Sequence, residues 1–327
     1  MKTYQKYLSL LLIAIFILGS YFYLQNQKNY ISKVHTVLIN ILNKQIENEK
    51  VQAFNFAFAL SQNETLQNSL KNNNAKKGYK ILQEHMHALE IFSNSKIHAQ
   101  ILTKDFVIFA RSWDNRDAGV SVKKNRPDLQ GMQKSKRPHL SFEAARKLVL
   151  IASIPIISDE KIIGYLEVIQ RFKSLKKNLA NYDMNLLVLL NSKYKQQAIL
   201  LKNNPKIENM IVADNEANVE HIAYLQKVGI SKLLNNGKLE GEHHFYFLRA
   251  ILNNNGDNIG SFVLIVSRKK LELFSAFESE LDSFFTYARK DLYYSINNNN
   301  NKTDVFSCFE DTDTYDNQIN ISRGKIK

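Results

Sequence analysis

Cysteine is almost absent: among 327 residues there is one, Cys308. A single thiol excludes an intramolecular disulfide and any multi-cysteine zinc or iron–sulfur site. The signatures of common enzyme chemistries are missing too, with no Gly-x-Ser-x-Gly elbow, His-Glu-x-x-His, Walker loop or Gly-x-Gly-x-x-Gly anywhere in the chain. Cys308 sits in a polar stretch without a fixed base nearby and makes a poor nucleophile. The residues therefore point away from an enzyme. Long apolar runs are scarce beyond residue 24: the stretches 147–157 and 262–266 are too short to cross a bilayer and read as buried strands.

What is present is enough apolar material, 44% of residues with 11% aromatic, to bury one large core or two modest ones. The formal charge of +13 raises the question of a nucleic-acid or anionic partner. The lysines are spread thinly (Lys176, Lys193, Lys232), with short clusters at 123–124 and 134–137, and no RNA or DNA motif accompanies them. A solvated surface is the expected reading, with no nucleic-acid partner.

Lys2 and Lys6 precede an uncharged run at 7–24. At about 1.5 Å per residue such a run reaches about 27 Å and just spans a hydrocarbon core. No Ala-x-Ala site or lipobox cysteine follows it, so an uncleaved anchor is expected rather than a signal peptide. The lysine bias places residues 1–6 in the cytoplasm and everything after residue 25 outside, as a single-pass inner-membrane protein with a periplasmic bulk.

After the anchor, Ile31, Val34, Leu38 and Ile41, continued by Phe54, Phe58 and Leu60, predict a long stalk helix within 25–70 that ends near 61–64. Asn72, Asn73 and Asn74 with Gly78 mark a loop, and 79–92 is helical again. Then the chain repeats itself. A strand at 154–157, a turn, and Ile162-Ile163-Gly164-Tyr165-Leu166-Glu167-Val168-Ile169 lead into a basic helix start at 173–177; a strand at 247–252, an asparagine-rich turn, and Ile259-Gly260-Ser261-Phe262-Val263-Leu264-Ile265 lead into Arg268-Lys269-Lys270. Earlier β candidates are a hairpin over 97–111 and a strand at 185–190. The expected class is α+β: a membrane-distal module at 71–172, a membrane-proximal module at 173–268, a closing helix at 269–296 and a disordered tail at 297–327.

Three stretches carry a resemblance: Phe109-Ala110-Arg111-Ser112-Trp113, Asn125-Arg126-Pro127, and the hairpin ending Gly164-Tyr165-Leu166-Glu167-Val168. They resemble the double Cache family of extracytoplasmic sensors, in the variety found in bacterial two-component kinases and chemoreceptors. The resemblance covers 25 to about 295 and implies two stacked PAS-like modules with antiparallel sheets carried on a long helix. Amino-acid-binding relatives carry tyrosines where Val107 and Asp114 stand here, so a strict amino-acid motif is not present. Family members typically continue into a second membrane helix and an output domain; the polar stretch after 296 leads instead to the expectation of a separate signalling partner, or a homodimer through the long helix, with a remnant of a longer receptor as the alternative.

The expected ligand site is Arg111, Trp113, Asp114 and Arg126, with Arg116 nearby. A guanidinium grips a carboxylate with parallel hydrogen bonds and an indole face covers an aliphatic or cationic body, so a carboxylate or amine metabolite is the expected ligand. The competing reading has Arg111 pinning its loop through Asp114 or Asp117 while Trp113 fills a core. In the second module 194–207 offers mainly lysine, glutamine and aliphatic residues, which favours the first module as the binding one. Glu167, between Leu166 and Val168, has two readings, a carboxylate pointing into a pocket and a solvent-facing strand carboxylate, and the second is the one expected. Paired histidines such as His85 and His87, or His243 and His244, do not share a face, so no metal and no cofactor is expected. The function expected is a membrane-anchored ligand-binding sensor without an output domain of its own; the alternatives are an anchored scaffold whose modules bind no small molecule and, third, a membrane-attached hydrolase.

Overall fold

The computed structural model describes residues 2–93, 96–123, 126–214 and 216–275. The expected closing helix past 275, the tail at 297–327, Asn125 and Cys308 lie outside the described residues.

Helix α1 (Lys2–Ser61) runs 60 residues, about 90 Å at 1.5 Å per residue. From Val34 onward one stripe is buried: Leu38, Leu42, Ile46, Glu49, Ala53, Ala57 and Leu60 follow at spacings of three and four. Phe54 and Phe58 are not on it. They stack on each other at 6.1 Å, and Phe58 is 51% exposed; the small Ala53 and Ala57 take the buried positions, letting the helix backbone approach closely. Nearer the start, Leu11, Phe16 and Phe22 are largely exposed. Among the described residues no helix is long and apolar enough to cross a membrane.

Two short helices follow. In α2 (Glu64–Lys71) the Asn63 side chain caps the start, accepting from the Leu66 amide at 2.9 Å. Helix α3 (Ala75–Ser93) includes Gly78, which the sequence had suggested as loop. A Cβ there would stand 2.7 Å from the Phe109 ring, so the glycine serves the close packing of α3 on the first sheet.

That sheet contains β1 (His98–Thr103), β2 (Ile108–Arg111), β3 (His139–Ala144), β4 (Leu148–Ser158) and β5 (Lys161–Gln170), with α4 (Pro127–Ser135) between β2 and β3. Its order is β2-β1-β5-β4-β3, and every pairing is antiparallel. After α5 (Lys173–Ala180) come β6 (Met184–Asn191), β7 (Lys206–Ile207) and β8 (Met210–Val212), then α6 (Val219–Val228) and α7 (Ser231–Asn236), then β9 (Lys238–Glu240), β10 (His244–Leu252), β11 (Asn258–Ser267) and α8 (Arg268–Ser275). The second order is β7-β8-β6-β11-β10-β9. Removing the extra edge strand β7 leaves the order of the first sheet, so the sequence repeat is a repeat of topology.

The repeated Ile-Gly dipeptides mark one device used twice. In both final hairpins the register slips beside the glycine: Ile156 faces Gly164 but Ile157 faces Ile162, and Ile251 faces Gly260 but Leu252 faces Asn258. Ile163 and Ile259 are thus the extra residues of two β-bulges. Each glycine is also approached by the carbonyl of the next strand: a Cβ on Gly164 would lie 2.5 Å from the Leu102 oxygen, and one on Gly260 would collide with the Leu189 oxygen.

Helix α1 packs on β4, β5 and α5. Phe142 of β3, Phe172 at the head of α5 and Phe262 of β11 meet at ring separations of 5.3 to 6.0 Å and join the modules. One equivalence differs from the sequence reading. The second-module counterpart of the 112–138 connection is not 194–207 but 213–237, which lies between β8 and β9 and carries α6 and α7.

Candidate functional site

Side chains on alternate positions of a strand share a face. In the first sheet the register sets Arg111 of β2 opposite Gln100 of β1, Gln100 opposite Glu167 of β5, Glu167 opposite Ser153 of β4, and Ser153 opposite His139 of β3. One polar row crosses all five strands. Leu102 and Tyr165, two positions along on the same face, pack with Phe106, Ile108 and the α4 residues Leu129 and Met132. The row therefore lies on the face covered by the 112–138 connection. The opposite face receives the helices, as the approach of Leu70 of α2 to Gly164 shows.

Glu167 is fully buried, which corrects the expectation of a solvent-facing carboxylate. It ion-pairs with Arg126 at 2.7 Å, accepts from the Ser153 hydroxyl at 2.9 Å, and accepts from the Gln100 amide. Burying a carboxylate is costly unless it is paired and hydrogen-bonded, and these three partners meet that need. Arg111, 7% exposed, donates to Gln100 Oε1 at 3.1 Å and pairs with Asp117. Arg146 also reaches Asp117, at 3.1 Å. The Arg111 guanidinium lies 5.0 Å from the centre of the Trp113 ring, whose edge meets His98 at 4.9 Å. Arg111, Trp113 and Arg126 are thereby linked through Gln100 and Glu167. Asp114 is not part of this group: it pairs with the exposed Arg116 at 2.8 Å, and that hydrogen bond holds its carboxyl below the usual carboxylate range.

Gln100 and Ser153 escaped the sequence reading, and Glu167 was expected to face solvent. Each is a lone polar residue in an apolar strand, and only the cross-strand register brings them together. The second module provides the contrast. Three residues past its bulge glycine stands Val263, opposite Leu187 of β6 and Leu248 of β10, where the first module has Glu167, Gln100 and Ser153. That face is closed by Ile222, Leu225 and Leu233 from α6 and α7. Among the described residues no group of three His, Cys, Asp or Glu side chains could hold a metal ion.

Two antiparallel sheets of one topology, set along one long helix and joined in tandem, define an α+β domain of the double Cache class. The chain belongs to the family described as the double sensory domain of two-component sensor kinases, whose model matches residues 31–271. Domains of this family are extracytoplasmic and sensory rather than catalytic. Solved structures similar to this chain include the V. cholerae histidine kinase DctB sensor domain (11% identity, TM-score 0.44, covering 72% of this chain and 96% of that one). Another is the ligand-binding domain of the Campylobacter jejuni chemoreceptor Tlp3 in complex with 4-methylisoleucine (16% identity, TM-score 0.44, covering 74% and 93%). Among curated proteins none matches the chain.

Proposed function

We propose that the chain is the ligand-sensing part of a membrane-anchored receptor, and that its small-molecule site is the loop-covered face of the first module around Arg111, Trp113 and Arg126. The observation that supports this is the polar row itself. At the same three positions the first module has Gln100, Glu167 and Ser153 and the second has Leu187, Val263 and Leu248. Buried polar groups cost stability relative to apolar ones, and at these three positions the second module has none. Signalling follows from partner exchange. A ligand carboxylate that takes Arg111 from Asp117 frees the segment after Trp113, which Asp117 ties back to the sheet. An amine on the same ligand would be drawn to Asp117 in turn.

The run 7–24 supports the anchor, with Lys2 and Lys6 in the cytoplasm, the sheets on the outer side, and output through a separate partner or a second copy along α1. A second reading, a scaffold that binds no small molecule, is favoured by one observation: Arg111 already has partners at both ends of its guanidinium.

The test is thermal unfolding of the full chain in detergent against carboxylate and amine metabolites. A true ligand adds about 2.7 kcal/mol at a hundredfold excess over its dissociation constant. Arg111→Ala and Trp113→Ala should remove that gain and still fold. If both variants unfold without ligand, the scaffold reading prevails; if a ligand is found and neither change affects it, the site lies elsewhere.

A further inference from the structure

A cleft of about 540 Å³ opens between the two modules, away from the polar row, under the Glu49 side of α1. Four cations line it: Lys96 before β1, Lys147 before β4, Arg171 after β5 and Lys173 at the start of α5. None of the four has an ion-pair partner among the described residues. A fifth, Lys176, is committed to Asp214. The acidic liners offset little of this charge. Asp214 is the partner of Lys176, Glu216 is exposed at the rim, and Glu49 is buried, which pushes its carboxyl upward, and accepts from the Asn178 amide at 3.4 Å. Neighbouring groups register the resulting field: the Lys147 ammonium is held below its usual value by burial and then by Arg171.

The cleft also contains an unmet acceptor. Gln170, at the end of β5, lines the cleft and is 4% exposed, and its Oε1 is buried without a donor among the described residues. Buried polar groups are as a rule hydrogen-bonded, and an exception calls for an explanation. The cations call for anionic oxygens and Gln170 for a hydrogen-bond donor, so one molecule that answers both must carry several carboxylates and a hydroxyl. The volume suits a compact organic acid.

We propose that this inter-module cleft is a second ligand site, for a hydroxylated polycarboxylate whose carboxylates lie on Lys96, Lys147, Arg171 and Lys173 and whose hydroxyl donates to Gln170 Oε1. Its walls come from β5 of the first module, α5 of the second and the stripe of α1 that carries Glu49, so an occupant bridges all three. One residue of the cleft wall, His98, also meets the Trp113 ring beside Arg111, at 4.9 Å.

Citrate and tricarballylate separate the two demands, because they share three carboxylates and only citrate has the hydroxyl. In calorimetric titrations of the full chain, citrate should bind saturably and tricarballylate about tenfold more weakly, as befits one hydrogen bond to a buried acceptor. Arg171→Gln, at an exposed position, should weaken citrate by about tenfold. Gln170→Leu, with its fold checked by far-UV circular dichroism, should erase the preference so that the two acids bind alike. Lys232→Gln, exposed on α7 and outside the cleft, should leave citrate unchanged. The proposal is overturned by absence of saturable binding, by equal affinities in the unaltered chain, or by citrate affinity that ignores Arg171→Gln.

Discussion

The buried pair of Arg126 and Glu167 offers a quantitative test of the polar row. Glu167 is fully buried and Arg126 is 7% exposed, and they meet at 2.7 Å. Removing one partner of such a pair leaves an uncompensated buried charge, at a cost of about 3–5 kcal/mol. Arg126→Met and Glu167→Met should each show that loss. The double variant should not show their sum, because both desolvation penalties leave together with the attraction. Gln100 and Ser153 each then lose one hydrogen bond to Glu167, at about 1 kcal/mol apiece, so the double variant should cost about 2 kcal/mol. The singles sum to about 6–10 kcal/mol, and the gap is the coupling energy of the pair. Urea unfolding of the full chain, followed by tryptophan fluorescence, measures it. Trp113 is the one tryptophan, and it stands against Arg111 at the end of the row, so the signal reports the first module. Single losses below about 1 kcal/mol, or a double loss equal to the sum, would refute the picture of a dry, mutually dependent pair.

Other expectations are more local. Gly164→Ala puts a methyl 2.5 Å from the Leu102 carbonyl oxygen, a backbone atom that cannot yield, and should cost about 1–3 kcal/mol in the same assay; Gly260→Ala should behave alike in thermal unfolding, and a neutral result at both would remove the bulge argument. The His98 ring is held down to about 4 by burial, then by Arg171 and Lys96. With the folded value depressed, protons bind the unfolded chain first, so the stability present above about pH 6.5 falls as pH drops towards 4. The full shift corresponds to about 3 kcal/mol, reduced by partial solvent access to about 1–2; His98→Gln should flatten that part of the stability–pH curve, and an unchanged slope would count against it. For the anchor, alkaline phosphatase fused after residue 296 should be active in the periplasm, and an inactive fusion would reverse the orientation.

The fold was legible where periodicity and repetition coincide. The two Ile-Gly hairpins could be paired from sequence because the same physical constraint, a bulge with a glycine pressed against a carbonyl, forces the same dipeptide into both. The helix stripe was less legible: Phe54 and Phe58 fit a helical period as well as Ala53 and Ala57 do, and hydrophobicity alone cannot show that the buried side requires the smaller residues. Short strands such as β3, β8 and β9 owe their pairing to neighbours distant in sequence, so local pattern gave little sign of them.

The site shows the same division more sharply. Arg111, Trp113 and Arg126 stand out in sequence because arginine and tryptophan are conspicuous side chains near a loop, and the structure links them. Asp114 stands out equally and turns away, because Arg116 two residues on offers it a partner in solvent. Which neighbouring aspartate closes on Arg111 depends on where the loop returns to the sheet, and it is Asp117 that does so. Glu167 could be judged only by its neighbours along the strand, Leu166 and Val168, whose alternation suits a carboxylate facing water just as well as one facing a covered pocket. What decides its role is the identity of residues 67 and 14 positions away, Gln100 and Ser153, which arrive beside it through register. Register here is set by the bulge at Ile163: a slip of one residue would turn Glu167 towards the helices and Val168 towards Arg126. The glycine at 164 is thus what makes the buried charge at 167 possible, and the same device in the second module, with valine at the corresponding position, gives a closed apolar face instead.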